Sequence, residues 1–280
     1  MSIFLKKFLE KVWYFFKKAG ELAGKRPVLI LILLSAGSLF LKILAFGVDS
    51  VVGSDGSFYC LMAQTWYKTG SYQAMLQEFS GTGWIPPGFL WCLKSLLELG
   101  LPVAASGVGL NIFFGISLVP VGYGLAWEVT RNKKIALITA AFLAVHPQIN
   151  DLSVEITRDM SYFCLQGAVL WSALAGIRRK SLWYFCLSGF LAGINFLVRY
   201  ESVECIPLIG IVLLILVIKR QFPWKKALLF GIVWFGLFVF SFSLWAFGMG
   251  KRDIFSAYNR YFTEKITVVS KHLQAVGKGK

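Results

Sequence analysis

Apolar residues run through this chain in long blocks separated by short polar breaks. Seven blocks are long enough to read as membrane helices: roughly 27–47, 103–128, 135–148, 159–177, 182–198, 203–219 and 226–248. A bilayer-spanning helix needs about 20 mostly apolar residues. Two flanking stretches follow a different rhythm. "IFLKKFLEKVWYFFKK" (residues 3–18) sets Phe4, Phe8, Val12 and Phe15 on one side and lysines on the other. That pattern predicts a helix lying on the membrane surface. "DIFSAYNRYFTEKITVVSKHLQAV" repeats apolar residues at 254, 255, 258, 261, 262, 266, 269 and 273, which predicts a second one.

One segment decides the topology. "WIPPGFLWCLKSLLEL" (84–99) is short, opens on two prolines and carries Lys94 and Glu98 four residues apart. If it crossed the bilayer, the basic loops "RNKK" (131–134), "RRK" (178–180) and "KR" (219–220) would be external. The positive-inside rule favours the opposite arrangement. The segment therefore reads as an interfacial or re-entrant helix. The expected fold is all-α and polytopic, with about seven transmembrane helices and juxtamembrane helices in a long first external loop, 48–102. Three regions follow: a basic amphipathic cytoplasmic arm (1–26), a seven-span membrane module (27–249), and an amphipathic surface helix and tail (250–280). The basic excess of that tail runs against this topology.

Composition agrees with a membrane protein. Hydrophobic residues make up 57% of the 280 and charged residues only 15%, where soluble domains carry about a quarter. The net charge of +15 would suggest nucleic acid on a soluble protein. Here the charges cluster at the ends of apolar blocks, so orientation and anionic membrane lipid explain them and no nucleic-acid partner is expected. Five scattered cysteines without a CxxC pair give neither a disulfide framework nor a metal knuckle. Two histidines, His146 and His272, exclude a His-rich site. No small-residue cleavage site follows the first apolar block, so no cleavable signal peptide is expected.

The predicted topology gathers Asp55, Asp151, Glu155, Arg158, Asp159, Arg199 and Glu201 on the external face. Asp55 has two readings. It is either an N-cap at the start of a surface helix, or a general base that takes a proton from an acceptor hydroxyl. Asp151, Glu155 and Asp159 are spaced by four and share a face if that stretch is helical; the other reading is a solvated external loop near 148–158 with Asp159 capping the next span, which suits Asp151 better. Asp159 is the stronger candidate because the chain re-enters the bilayer there. Arg199, beside Glu201, offers a planar fork suited to phosphate, with Lys94 and Arg158 as further phosphate contacts. His146 reads as a helix-end residue.

"SDGSFYCLMAQTWYKTGSY", "PPGFLW", "HPQINDLSVEITRDMSYF" and "VRYESVECIP", in this order and spacing, resemble the membrane glycosyltransferases of the C superfamily. The branch is that of the protein O-mannosyltransferases and the lipid A aminoarabinose transferases, and the likeness runs from about 27 to 220. The resemblance implies transfer of a sugar from a polyprenyl-phosphate carrier to a lipid, glycan or protein acceptor on the external face, usually with inversion. It matches Asp55 to the catalytic base, Asp159 to an acid of the next external loop, and Arg199 to a basic residue near the carrier phosphate. Many relatives have Glu-Lys before the proline pair, where this chain has Trp84 and Ile85. They also usually continue with more spans, so the chain is expected to be a fragment, a truncated product, or a subunit that needs a partner. A divalent metal between Asp55 and Asp159 is compatible with the pattern but not required, and no other cofactor is called for. The expected location is the bacterial cytoplasmic (inner) membrane with the N-terminus cytoplasmic. Two alternatives stay open: a non-catalytic subunit that docks on a full-length enzyme, and a transporter or flippase of a lipid-linked sugar. Clear internal repeats, common in transporters, are not found.

Overall fold

The computed structural model describes residues 26–48, 53–79, 85–248 and 263. The arm expected over 1–26 and the tail helix expected over 250–280 lie outside the described residues, apart from one residue of each. The described chain is all helix. Its elements are α1 (Pro27–Val48), α2 (Ser54–Thr69), α3 (Tyr72–Glu78), α4 (Pro87–Glu98), α5 (Val103–Thr130), α6 (Lys133–Val145), α7 (Pro147–Val154), α8 (Asp159–Arg179), α9 (Leu182–Val198), a 3-10 turn (Tyr200–Glu204), α10 (Cys205–Ile218) and α11 (Trp224–Gly248).

All seven apolar blocks are helical, but fewer than seven meet the length of a full crossing. Among the described residues, five helical stretches are long and apolar enough: Pro27–Gly47, Val103–Thr130, Asp159–Arg179, Tyr200–Ile218 and Trp224–Leu244. α6 and α7 make a sixth if the pair, bent by 51°, is one broken span. The bend falls at His146-Pro147. Proline disfavours helical backbone in the residue before it, and His146 is extended, with φ −61° and ψ 121°. α9 is apolar but has only 17 residues, about 26 Å at 1.5 Å per residue. The expected external loop over 148–158 is therefore corrected: most of it is α7, and only residues 155–158 link α7 to α8.

α4 has 12 residues and is about 18 Å long, too short for a hydrocarbon core of about 30 Å. Its prolines begin the helix at no hydrogen-bonding cost, because the first N–H groups of a helix have no internal partner. Phe89, Leu90 and Leu93 are buried and pack with Tyr59, Met62, Ala63 and Trp66 of α2 in the main apolar core. α2 ends on Gly70, whose φ of +65° suits glycine. The two short helices thus form one platform against the bundle.

Polar side chains join the longer helices. The Ser188 hydroxyl donates to the Val169 carbonyl (2.8 Å) and accepts from the Trp234 indole (3.0 Å), linking α8, α9 and α11. Gln166 donates to Cys205 Sγ and accepts from the Asn195 amide, both at 2.9 Å, which ties α8, α9 and α10. Such bonds hold helices together where lipid offers no hydrophobic drive. Val28, Ile32, Leu33 and Phe40 of α1, and Ile211 and Leu214 of α10, remain exposed as an apolar outer surface.

Candidate active site

Asp55 sits in the first turn of α2, but it is not the cap of that helix. Gly53 holds the N-cap position. The exposed Asp55 side chain is left facing a polar cavity of about 210 Å³ lined by Gly53, Ser54, Asp55, Gly56, Glu155, Ile156 and Thr157. Two segments a hundred residues apart thus place the carboxylates Asp55 and Glu155 on one hollow. The Asp151–Glu155–Asp159 helical face does not form. α7 ends at Val154 and Glu155 is extended, with φ −83° and ψ 150°. Four residues then separate the helices, and Asp159 starts α8. Like charges avoid stacking on one helix face, and Glu155 turns to the cavity instead.

Asp159 and Arg199 meet. The Arg199 guanidinium donates to Asp159 Oδ1 and its Nε lies 3.4 Å from Glu201 Oε2. That Nε contact is a charge pairing without hydrogen-bond alignment. The guanidinium carbon lies 5.3 Å from the centre of the Tyr162 ring, so a cation–π contact adds to its orientation. α9 ends where Arg199 adopts extended backbone; the side chain then returns across the start of α8. Lys94 goes elsewhere, pairing with Glu98 one turn along α4 at 2.5 Å.

One residue missed by sequence reasoning marks where these groups converge. Tyr59 is buried, one helical turn after Asp55. Burial raises its phenol above the usual value, Asp55 and Asp159 add to the rise, and Arg158 and Arg199 oppose it. Asp55, Arg158, Asp159 and Arg199, drawn from α2, the 155–158 link, α8 and the end of α9, therefore act on a single hydroxyl. The only sequence signal was the i, i+4 spacing of Asp55 and Tyr59, which put both on one face.

A second charged group lies at the far end of α8. The buried Glu128 carboxylate pairs with Arg131 (2.6 Å) and Arg179 (3.0 Å). Arg178 donates to the Val129 carbonyl at 3.2 Å. Asp159 and Arg179 are the two ends of α8, about 30 Å apart. The mixed acid–arginine cluster and the arginine-rich cluster are thus separated by about one hydrocarbon thickness. Among the described residues no group of three His, Cys, Asp or Glu could hold a metal ion. Asp159, one of the two carboxylates expected to share a metal, is engaged by Arg199.

The arrangement combines an open carboxylate on a polar cavity with a guanidinium oriented by Asp159, groups suited to proton abstraction and to holding an anion. A family model described as dolichyl-phosphate-mannose-protein mannosyltransferase matches residues 85–245, more than half of the chain. The chain belongs to that family. No curated protein matches it. Membership makes this mannosyltransferase-family chain an integral membrane protein and, at the coarse level, a glycosyltransferase. The family's chemistry uses a polyprenyl-phosphate-linked sugar donor and an acceptor. The matched region holds α4, the 155–158 link, Asp159 and Arg199. Asp55 and Tyr59 precede it.

Proposed function

We propose that this chain transfers a sugar from a polyprenyl-phosphate carrier to an acceptor hydroxyl on the face of the membrane opposite the cytoplasm. The observation that carries this reading is the cavity shared by Asp55 and Glu155, together with the Asp159–Arg199 pair, whose Asp159 follows the cavity wall at Thr157 by two residues. In a single displacement, an Asp55 oxygen accepts the proton of the acceptor hydroxyl. The acceptor oxygen bonds to sugar C1 as the bond from C1 to the phosphate oxygen breaks. The electron pair leaves with the lipid phosphate, whose charge Arg199 and Arg158 offset. Preoriented cations act more strongly in a water-poor setting than in bulk solvent. Glu155, Asp159 and Glu201 hold the arginines and shape the cavity; Lys94 is a phosphate contact only if it exchanges Glu98 for the ligand.

The orientation follows from charge. Arg131, Lys133, Lys134, Arg178, Arg179 and Lys180 lie at the end of the bundle away from Asp159, and such ends favour the cytoplasm. The site then faces outward and the N-terminus inward, in a bacterial inner membrane.

The test supplies the purified chain in liposomes with a polyprenyl-phosphate sugar and an acceptor. Asp55→Asn is expected to lower transfer at least a hundredfold, the scale of a lost general base. Wild-type transfer by Asp55→Asn overturns the base assignment. Absence of transfer by the wild-type chain, with activity restored by a full-length enzyme, favours a docking subunit. Movement of the intact lipid-linked sugar across the bilayer without its cleavage favours a transporter.

A further inference from the structure

The 155–158 link carries Glu155 and Arg158 and leads directly into Asp159, yet it has no regular structure of its own. What holds it lies on α5. Asn111 is fully buried within that helix. Its Nδ2 donates to the Glu155 carbonyl at 2.5 Å and to the Thr157 carbonyl at 2.8 Å. Its Oδ1 is buried with no hydrogen-bond partner. The amide orientation is therefore determined, because a flip would set Oδ1 against two carbonyl oxygens.

Residues one turn to either side of Asn111 on the same face complete the seat. A Cβ on Gly107 would come within 2.7 Å of Ile156 Cγ2, and one on Gly115 within 2.3 Å of Ser153 Oγ and 2.5 Å of Lys42 Cε. Ile156 and Ser153 are buried in the space these glycines leave. From the other side, Lys42 Nζ of α1 donates to Asn150 Oδ1 at 2.8 Å. Residues 153–157 are thus held along one stripe of α5, and Asn111 supplies hydrogen bonds to the backbone carbonyls of Glu155 and Thr157, two of the three link residues that line the Asp55 cavity.

We propose that Asn111 is a positioning residue of the reaction: by holding the Glu155 and Thr157 carbonyls it sets Glu155, Arg158 and Asp159 relative to Asp55. This rests on the sugar-transfer reading above. It adds a residue of the transmembrane interior to a site otherwise built from its edge.

Asn111→Asp tests the donor with little change in size: a buried carboxyl facing two carbonyls stays protonated, and its single O–H can serve at most one of the two carbonyls that the amide holds. Its kcat, per correctly folded molecule by size-exclusion chromatography, is expected to fall about tenfold to a hundredfold, the scale of a misplacement near 1 Å. KM for the lipid donor is expected to stay within about twofold, because Arg199 remains in place. Amide hydrogen exchange across 155–158 is expected to speed up while α9 and α11 stay protected. If Asn111→Asp does not fold, Gly107→Ala displaces Ile156 from the same seat and is read by the same two measurements. Wild-type kcat with wild-type exchange in the folded variant overturns the proposal, as does a loss of activity accounted for entirely by a smaller folded fraction. The exchange measurement needs no sugar transfer, so it reports on Asn111 even where Asp55→Asn has sunk the enzymatic reading.

Discussion

Gly88, in the "PPGF" turn that starts α4, makes the closest test of how the platform is docked. A Cβ built there would lie 2.7 Å from the Leu197 carbonyl oxygen, 2.8 Å from its carbon and 3.1 Å from the Val198 nitrogen. All three atoms are backbone, so no side chain can rotate away. Ordinary contact begins near 3.4 Å, so Gly88→Ala forces α4 and the end of α9 apart by about 0.7 Å. Overpacking of this kind costs about 1–3 kcal/mol, offset by up to about 1 kcal/mol from the better helix former. The displaced backbone is Leu197-Val198, immediately before Arg199. A shift approaching 1 Å at a reacting group can cost about a hundredfold in rate, so transfer is expected to fall tenfold or more. Gly210→Ala is the control, because its Cβ would meet nothing within 4 Å. Both variants are purified in detergent, heated to follow loss of the folded peak, and assayed for transfer. A Gly88→Ala protein as stable as Gly210→Ala and as active as wild type would refute the close approach and with it the docking of α4 beside Arg199.

Three further outcomes follow from the charges and their burial. Tyr59 is expected to titrate above the ordinary phenol value of 10.0; a 295 nm titration difference between wild type and Tyr59→Phe at or below that value contradicts the burial. Because the folded state keeps this proton longer, its stability is fully present below pH 10 and falls as pH rises past it, and Tyr59→Phe is expected to lose that component of the decline. Asn150→Leu is expected to cost about 1.5–3 kcal/mol, the scale of a hydrogen bond to a charged group, because buried Lys42 then keeps, among the described residues, only Ser38 as a hydrogen-bond partner; the double variant with Lys42→Met should cost less than the sum of the two single changes, and strict additivity in denaturant unfolding would argue against the bond. Arg131→Ala or Arg179→Ala alone should cost about 1 kcal/mol or less, since each arginine is half-exposed, whereas both together strand the buried Glu128 carboxylate and should cost about 3–5 kcal/mol, with equal stability of single and double variants as the opposing result.

Much of the helical layout was legible from local pattern. The length of each apolar block, the proline pair before α4 and the basic breaks between blocks are properties of neighbouring residues, and each matched a helix or a helix end. The count of full crossings was less legible, because α9 at 17 residues and the Pro147 break both fall near the threshold for spanning. A break before Asp159 was legible as a short loop, but its extent was not: helix continues to Val154, and where it stops depends on the seat on α5, which forms only on packing. Asn111 carried a visible signal, a single amide inside "GVGLNIFFG", and polar residues in apolar helices usually bond across to a neighbour.

By itself the sequence determined that this chain is a set of membrane-length helices with short interfacial ones, because hydropathy and proline act over a single turn or a single span. It also nominated Asp55, Asp159 and Arg199. Only the tertiary structure decided that Arg199 grips Asp159, that Glu155 shares a hollow with Asp55, and that Tyr59 and Asn111 stand among them. Those relations depend on how α2, α5, α8 and α9 pack, and packing is set by side-chain shapes brought together from distant parts of the chain.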